Sequence, residues 1–280
     1  MDIKLVGLDL DGTLLLPDKT VSQENKRVLT KAAESEGVHI VIATGRPYSG
    51  IKKILEWLPY VRYAVLSNGA VVLDVKTGEK IAEHRIDVKD ALEFYDYAVS
   101  KNLSVDFFDK GERIVAADWK EVVAQMDESD GTKNLLLSNC IFSNDQRAHL
   151  ASLPGVEKIS IRFLKEQDQA ALYEKVQKHF PQLKICASLA TNIEATCRNV
   201  TKATGMQELA LNLGISMESV MAFGDNGNDR EMLEEAGIGV AMGNSDEAIK
   251  RLAKRVTKRN TEDGVAYMIR EVFGWQQELL

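Results

Sequence analysis

The sequence predicts an α/β protein: a Rossmann-like doubly wound parallel sheet core with an inserted α+β cap domain. Three observations carry this. Apolar runs of strand length alternate with amphipathic helical stretches at both ends of the chain, the rhythm of a parallel sheet covered on both faces. The middle third replaces that rhythm with hairpin signals and short helices, as a separate inserted module would. Three of the apolar runs end abruptly in acidic, hydroxyl or glycine residues, and the carboxyl ends of strands are where open parallel sheets carry chemistry.

Taken in order, residues 3–8 are an apolar strand that delivers Asp9-Leu10-Asp11-Gly12-Thr13. Ser22 is a helix N-cap, Val28, Leu29, Ala32 and Ala33 share a helical face, and Gly37 ends the helix. Residues 38–43 form the second strand, ending in Thr44-Gly45-Arg46-Pro47, and a helix over 48–58 breaks at Pro59. The third strand, 63–66, ends in Ser67-Asn68-Gly69-Ala70. Residues 70–86 then read as a hairpin turning at Lys76-Thr77-Gly78-Glu79, and Asp87 caps a helix bearing Ala91, Tyr95 and Ala98 on one face.

Two short strands flank Asp109-Lys110-Gly111, followed by a helix over 118–126 and an acidic loop over 127–131. The pattern predicts a strand over 134–142, a helix over 144–151, a strand over 156–163 and a helix over 168–179. Strands over 183–188 and 191–196 follow. The first rhythm then resumes with a helix over 202–213 and a strand over 219–223 that ends in Gly224-Asp225-Asn226-Gly227-Asn228-Asp229. Strands over 238–242 and 255–257 precede a closing helix with Val265, Met268, Ile269, Val272 and Phe273 at helical spacing, and the tail with Trp275 reads as helix packing. The boundaries expected are a core segment at 1–82, the inserted module at 83–190 and a second core segment at 191–280.

Composition sets limits on function. The chain has 280 residues, 45% hydrophobic and 28% charged, the proportions of an ordinary globular protein. A formal net charge of -7 argues against a nucleic-acid surface, which needs clustered Lys and Arg, but leaves room for a local positive pocket. Cys140, Cys186 and Cys197 are scattered and odd in number, giving neither a disulfide framework nor a metal knuckle. No apolar run approaches the roughly 20 residues that span a bilayer, and the first strand begins with no leader before it, so the expectation is a cytoplasmic protein without a membrane partner. The oligomeric state is silent in the sequence.

In an open parallel sheet the strand ends share one edge, so Asp9, Asp11, Thr44, Asp225 and Asp229 should converge on a single crevice. Carboxylates gathered this way repel one another and demand a cation, and an all-oxygen set suits Mg²⁺. Each motif alone is weak, since Asp-x-Asp turns and Thr-Gly helix starts are common. Their joint presence at matching strand ends is the signal.

The set Asp9-Leu10-Asp11-Gly12-Thr13, Ala43-Thr44-Gly45-Arg46, Lys202 and Gly224-Asp225-x-x-Asn228-Asp229 resembles the four motifs of the haloacid dehalogenase superfamily. Ser67-Asn68-Gly69-Ala70, the stretch Asn260-Thr261-Glu262-Asp263-Gly264-Val265 and the order of elements in the insertion resemble its Cof-type phosphatases, which carry a type IIB cap. The third motif departs from the family's usual Lys-Gly, reading Lys202-Ala203-Thr204-Gly205, which puts local backbone geometry in question rather than the lysine.

The resemblance implies a Mg²⁺-dependent phosphatase of small phosphorylated metabolites, sugar phosphates or similar monoesters, working through an aspartyl-phosphate. Asp9 would be the nucleophile and Asp11 the general acid and base. Asp9, the Asp11 backbone carbonyl and Asp225 would hold Mg²⁺, and Lys202 would offset charge between carboxylate and phosphate. Thr44 and the Gly45 amide would bind phosphate oxygens, Gly12 would let the backbone turn around the same group, and Asn68 would touch the phosphate or the near end of the substrate. Asp229, with Asn228 beside it, would orient metal-bound water and Lys202 from behind. Arg46 would either contact substrate or steady the loop by an ion pair. Two alternatives stay open: a phosphomutase-like phosphotransferase and a non-catalytic phosphometabolite-binding module.

Overall fold

The chain begins as βαβ units. β1 (Leu5–Leu8) leads through a loop to α1 (Gln23–Ser35), whose N-cap Ser22 accepts from the Asn25 amide at 3.1 Å. β2 (His39–Ala43), α2 (Lys52–Trp57) and β3 (Tyr63–Leu66) follow, then the hairpin of β4 (Val71–Asp74) and β5 (Lys80–Glu83). The computed structural model describes residues 2–126, 128–162 and 169–275. Asp127 in the expected acidic loop, the expected element ends at Phe163 and Asp168, and tail residues 276–280 lie outside the described residues.

The inserted module, the cap, opens with β6 (Ile86–Asp87) and α3 (Val88–Ser100), the latter capped by the Asp87 carboxylate. It continues through β7 (Ser104–Asp109), β8 (Glu112–Ala116), α4 (Trp119–Gln125), α5 (Asp130–Leu137), β9 (Cys140–Ser143), α6 (Gln146–Ala151), β10 (Gly155–Val156), β11 (Lys158–Arg162), α7 (Gln169–His179), β12 (Leu183–Cys186) and β13 (Asn192–Cys197). The return comprises α8 (Lys202–Asn212), β14 (Val220–Gly224), α9 (Arg230–Glu235), β15 (Ile238–Ala241), α10 (Glu247–Leu252), β16 (Arg255–Val256) and α11 (Gly264–Phe273).

Eight strands form the larger sheet in the order β16-β15-β14-β1-β2-β3-β4-β5. Every pairing from β16 to β3 is parallel, and β4 and β5 add antiparallel at one edge. β1 lies between β2 and β14, so the chain leaves it in both directions: the topological switch point falls at its carboxyl end. Val6 and Leu8 pack with Val28 and Leu29 of α1 and Val265 and Ile269 of α11 on one face. Leu5 packs with Met206 and Leu209 of α8 and Leu233 of α9 on the other. Burial on both faces explains why these strands are nearly continuous apolar runs.

In the cap, six strands run in the order β12-β13-β11-β7-β8-β9. Phe107, Ile114, Ile159, Ile161 and Ile193 face α3 and α7 on one side of this sheet. Two expectations need correction here. Residues 134–137, expected at the start of a strand over 134–142, belong to helix α5: the Ser129 side chain accepts from the Thr132 amide and starts a helix through the Leu135-Leu136-Leu137 run. A short apolar run fits either period, and the strand begins only at Cys140, after Asn139 turns the chain with φ 53°. The strand expected at 191–196 as the first of the returning core is β13, which pairs with β12 and β11 inside the cap sheet, so the return to the larger sheet comes after Cys197. Trp275 packs on the core beneath Lys31, whose ammonium lies 4.6 Å from the ring centre. Among the described residues, no helix is long and apolar enough to cross a membrane.

Candidate active site

The register of β1 and β14 pairs Leu8 with Phe223, and the Asp9 amide continues the ladder by donating to the Phe223 carbonyl at 3.1 Å. Asp9 and Asp225 therefore leave neighbouring strands within two positions of each other. Gly12, at φ 85°, is required by this closeness, because a Cβ there would lie 2.2 Å from Asp225 Oδ2. The Thr13 hydroxyl donates to Asp225 Oδ1 at 3.2 Å. Lys202 arrives at the first turn of α8, which is fixed by a capping box: Thr201 accepts from the Thr204 amide, and the Thr204 hydroxyl accepts from the Thr201 amide. Its ammonium, fully buried, donates to Asp9 Oδ1 and to Asp229 Oδ1, both at 2.6 Å.

Charge decides what this cluster can hold. Burial pushes the Asp9 carboxyl up to about 7; Lys202 pulls against that rise, while Asp229 and Asp11 add to it. Burial, then Asp9 and Asp229, pushes Asp225 well above the ordinary carboxylate range. Burial opposes the Lys202 charge, but Asp229 and Asp9 overcome it and hold the ammonium protonated. One lysine thus faces three carboxylates, and the excess negative charge is the signature of a cation site. Carboxylate oxygens of Asp9, Asp225 and Asp229 lie within 4.8 Å of one another. Those of Asp229 are already engaged, Oδ1 by Lys202 and Oδ2 by the amides of Asp225 at 3.0 Å and Asn226 at 3.1 Å. Asp9 and Asp225 are left to offer oxygens, a hard donor set that fits Mg²⁺.

Asp11, Thr44, Gly45, Arg46 and Asn228 line one crevice together with Asp9 and Asp225. The Thr44 hydroxyl accepts from the Arg46 amide at 3.2 Å, which leaves its own O–H to donate. Of the two roles expected for Arg46, the structure displays the ion pair: Nε and Nη2 grip both oxygens of Asp11 at 2.8 and 2.7 Å. Lys19 adds a third donor to Asp11 at 2.8 Å. Burial works to raise Asp11, but Arg46 and then Lys19 hold its carboxyl well below the usual range.

Asn68 is held by two residues that line the crevice, Glu194 and Asn228. Its Nδ2 donates to Glu194 Oε2 at 2.8 Å and its Oδ1 accepts from Asn228 Nδ2 at 3.1 Å, so it joins the cap to the loop after β14. The residue is tightly placed, since a Cβ on Gly45 would meet its Oδ1 at 2.8 Å.

Several site residues had no signal in the motifs. Lys19 lies in a loop, where spacing says nothing of direction. Asn244 donates to the Gly12 carbonyl at 2.8 Å and accepts from the Asn260 amide at 3.0 Å, so the 260–265 stretch braces the loop after β1. On the cap side, Arg113, Lys158, Arg162 and Glu194 line the same crevice. Lys158 donates to Glu194 and to the Gly45 carbonyl, both at 2.6 Å. The alternation Lys158-Ile159-Ser160-Ile161-Arg162 could have found this polar face, since one side of the strand had to be apolar and the other not.

Residues 6–269 match the haloacid dehalogenase-like hydrolase family. The phosphatase YwpJ of Bacillus subtilis is 30% identical over 288 residues, covering 96% of this chain and 100% of its own. A second B. subtilis protein, the 5-amino-6-(5-phospho-D-ribitylamino)uracil phosphatase YcsE, is 30% identical over 273 residues, with 96% of both chains covered. Among solved structures, a haloacid dehalogenase-like hydrolase from B. subtilis superposes with a TM-score of 0.86 at 30% identity, over 96% of this chain and 100% of that one. A sugar phosphatase of HAD subclass IIB superposes with a TM-score of 0.80 at 25% identity, over 97% and 99%. With the switch-point carboxylates, the buried lysine and the inserted cap in place, the chain belongs to the haloacid dehalogenase-like hydrolases and, within them, to the Cof-type phosphatases.

Proposed function

We propose that the protein is a Mg²⁺-dependent phosphomonoesterase of small phosphorylated metabolites in the cytoplasm, acting through an aspartyl-phosphate on Asp9. The observation that carries this reading is the convergence of Asp9 and Asp225 from adjacent strand ends beside the buried Lys202 ammonium. The names of YcsE and of the subclass IIB sugar phosphatase support a small phosphorylated substrate. Asp9, Asp225 and the Asp11 backbone carbonyl would hold Mg²⁺. Bound there, the ion supplies positive charge between a carboxylate nucleophile and a phosphate dianion that otherwise repel.

The chain's own groups do the rest. The Thr44 hydroxyl and Gly45 amide bind equatorial phosphate oxygens, leaving phosphorus in line with an Asp9 oxygen. That oxygen attacks, the bond from phosphorus to the leaving oxygen breaks, and the departing alkoxide takes a proton from Asp11. Water then attacks the same phosphorus, Asp11 takes its proton, and inorganic phosphate leaves with the Asp9 carboxylate restored. Lys202 stays charged throughout and holds Asp9 in one orientation, while Asp229 fixes the lysine and the turn bearing Asp225. For Asp11 to carry a proton, Arg46 must release it, and the incoming phosphate dianion is the natural competitor for that guanidinium.

Phosphate release from a broad panel of monoesters with Mg²⁺, run beside Asp9→Asn, tests the reading. Release by the natural protein and its loss in the variant are expected. A panel with no release, or with isomerised sugar phosphate as the main product, contradicts it.

A further inference from the structure

An antiparallel sheet with helices on one face ordinarily turns its other face to water. In the cap sheet that second face is dry. Ile159 and Ile161 of β11 point into the cap core, which sends Lys158, Ser160 and Arg162 the other way, and all three are buried. Arg113 of β8 joins them, and Arg113 and Arg162 are only 7% and 3% exposed. Part of the face, at Val115, is covered by α4 and α5, and the rest forms the roof of the crevice over Asp9 and Thr44.

Its hydrogen-bond donors are not all matched. Lys158 is matched by Glu194 at 2.6 Å. The two guanidiniums share a single carboxylate, Asp106: Arg162 donates through Nε at 3.2 Å and Nη2 at 3.4 Å, and Arg113 Nε stands 3.3 Å away in ion-pair range. Glu128 adds a negative charge that acts on Arg162, and one of its oxygens accepts from the Thr191 hydroxyl. Among the described residues, Arg113 Nε and Arg162 Nη1 are buried N–H groups with no hydrogen-bond partner. Native interiors rarely leave such donors unmatched, least of all charged ones.

We propose that Arg113 and Arg162 form an anion subsite for a second negatively charged group of the substrate, a carboxylate or a second phosphate, remote from the phosphoryl group being transferred. The subsite rests on the reading of the crevice as a phosphatase site and narrows its substrates to dianionic-plus-anionic molecules. Guanidinium forks suit the paired oxygens of such groups, and in a water-excluded roof a single neutral hydroxyl would match such buried, charged donors less well than an anion's paired oxygens. Leu135, Leu136 and Leu189 line the crevice as well and give the connecting carbon skeleton an apolar side to lie on.

Calorimetric binding with Mg²⁺ tests the subsite without turnover. The probes are ω-phosphonocarboxylates of increasing chain length, each against the alkylphosphonate of the same length. At the length that spans the crevice, the carboxylate should tighten binding about ten- to a hundredfold, and in Arg162→Gln or Arg113→Gln that ratio should fall toward one. Matched pairs that bind alike, or fail to bind, at every length overturn the subsite, as does a preference that survives in both variants. If one variant does not fold the other decides, and the wild-type length series stands alone. Failure of phosphate release across the monoester panel would instead count against the Asp9 chemistry, so the two readings fail separately.

Discussion

Lys202 is a charged side chain with no exposure, and only its two carboxylate partners make that position tolerable. Removing the ammonium would leave Asp9 and Asp229 buried and unpaired. Lys202→Met should therefore cost about 3–5 kcal/mol of stability in urea unfolding besides abolishing phosphate release; a variant as stable as the parent would contradict the arrangement. The raised Asp9 carboxyl makes a second prediction. It ionises near 7 in the folded protein and near about 4 in the unfolded chain, so the folded state binds the proton more tightly. Without a divalent cation, the contribution of Asp9 to stability should be full below about pH 4 and lost as pH rises through about 7. Mg²⁺ would remove that loss by binding the ionised form. The gain in thermal midpoint on adding Mg²⁺ to chelated protein should thus be larger at about pH 8 than at about pH 5. Equal gains at both would count against Asp9 as a ligand. Asp225 carries the same sign, so Asp225→Asn should shrink the gain.

At the scale of elements, the larger sheet was legible because its inner strands are buried on both faces and read as nearly unbroken apolar runs, bounded by residues that cannot continue them. The carboxylates at those ends were legible for the same reason. What failed to show was whatever depends on partners far along the chain. Residues 134–137 carry a run that suits helix or strand, and the Ser129 cap decides. Residues 192–197 carry a strand pattern that fits either sheet, and pairing with β11 and β12 decides. Asn68 was expected at the phosphate or the near end of the substrate, and what the sequence did not show is its bond to Glu194, a residue 126 positions away. One tight joint between elements is Gly69 against the start of α8: at φ 100°, a Cβ there would lie 2.0 Å from the Thr201 carbonyl. Gly69→Ala should push the start of α8 and with it Lys202, lowering kcat/KM about ten- to a hundredfold with the circular dichroism spectrum unchanged. Kinetics equal to the parent's would show that the helix start does not set the lysine.

For the whole molecule, the cap is closed on the core. Glu157 spans the two, accepting from the Ser67 hydroxyl at 3.0 Å and from the Gly111 amide at 2.9 Å, while Asn226 donates to the Ser188 carbonyl at 3.1 Å. The crevice left between them is about 70 Å³, so under the proposed function substrate entry and phosphate release would require the cap to lift. Closure then excludes water and brings the cap's cationic roof over the phosphoryl site. Glu157→Ala should loosen that closure and lower kcat/KM about tenfold, with Mg²⁺ affinity by calorimetry held within about twofold. Loss of Mg²⁺ binding as well would mean that the cap and the metal cluster are one unit. All of this depends on Asp9 being the atom donor that meets phosphorus. Rapid acid quench during turnover, followed by mass spectrometry of the peptide that contains it, reads that directly. The account predicts a phosphoryl group on Asp9, accumulating further in Asp11→Asn; phosphate release with no label on Asp9, persisting in Asp9→Asn, would contradict it.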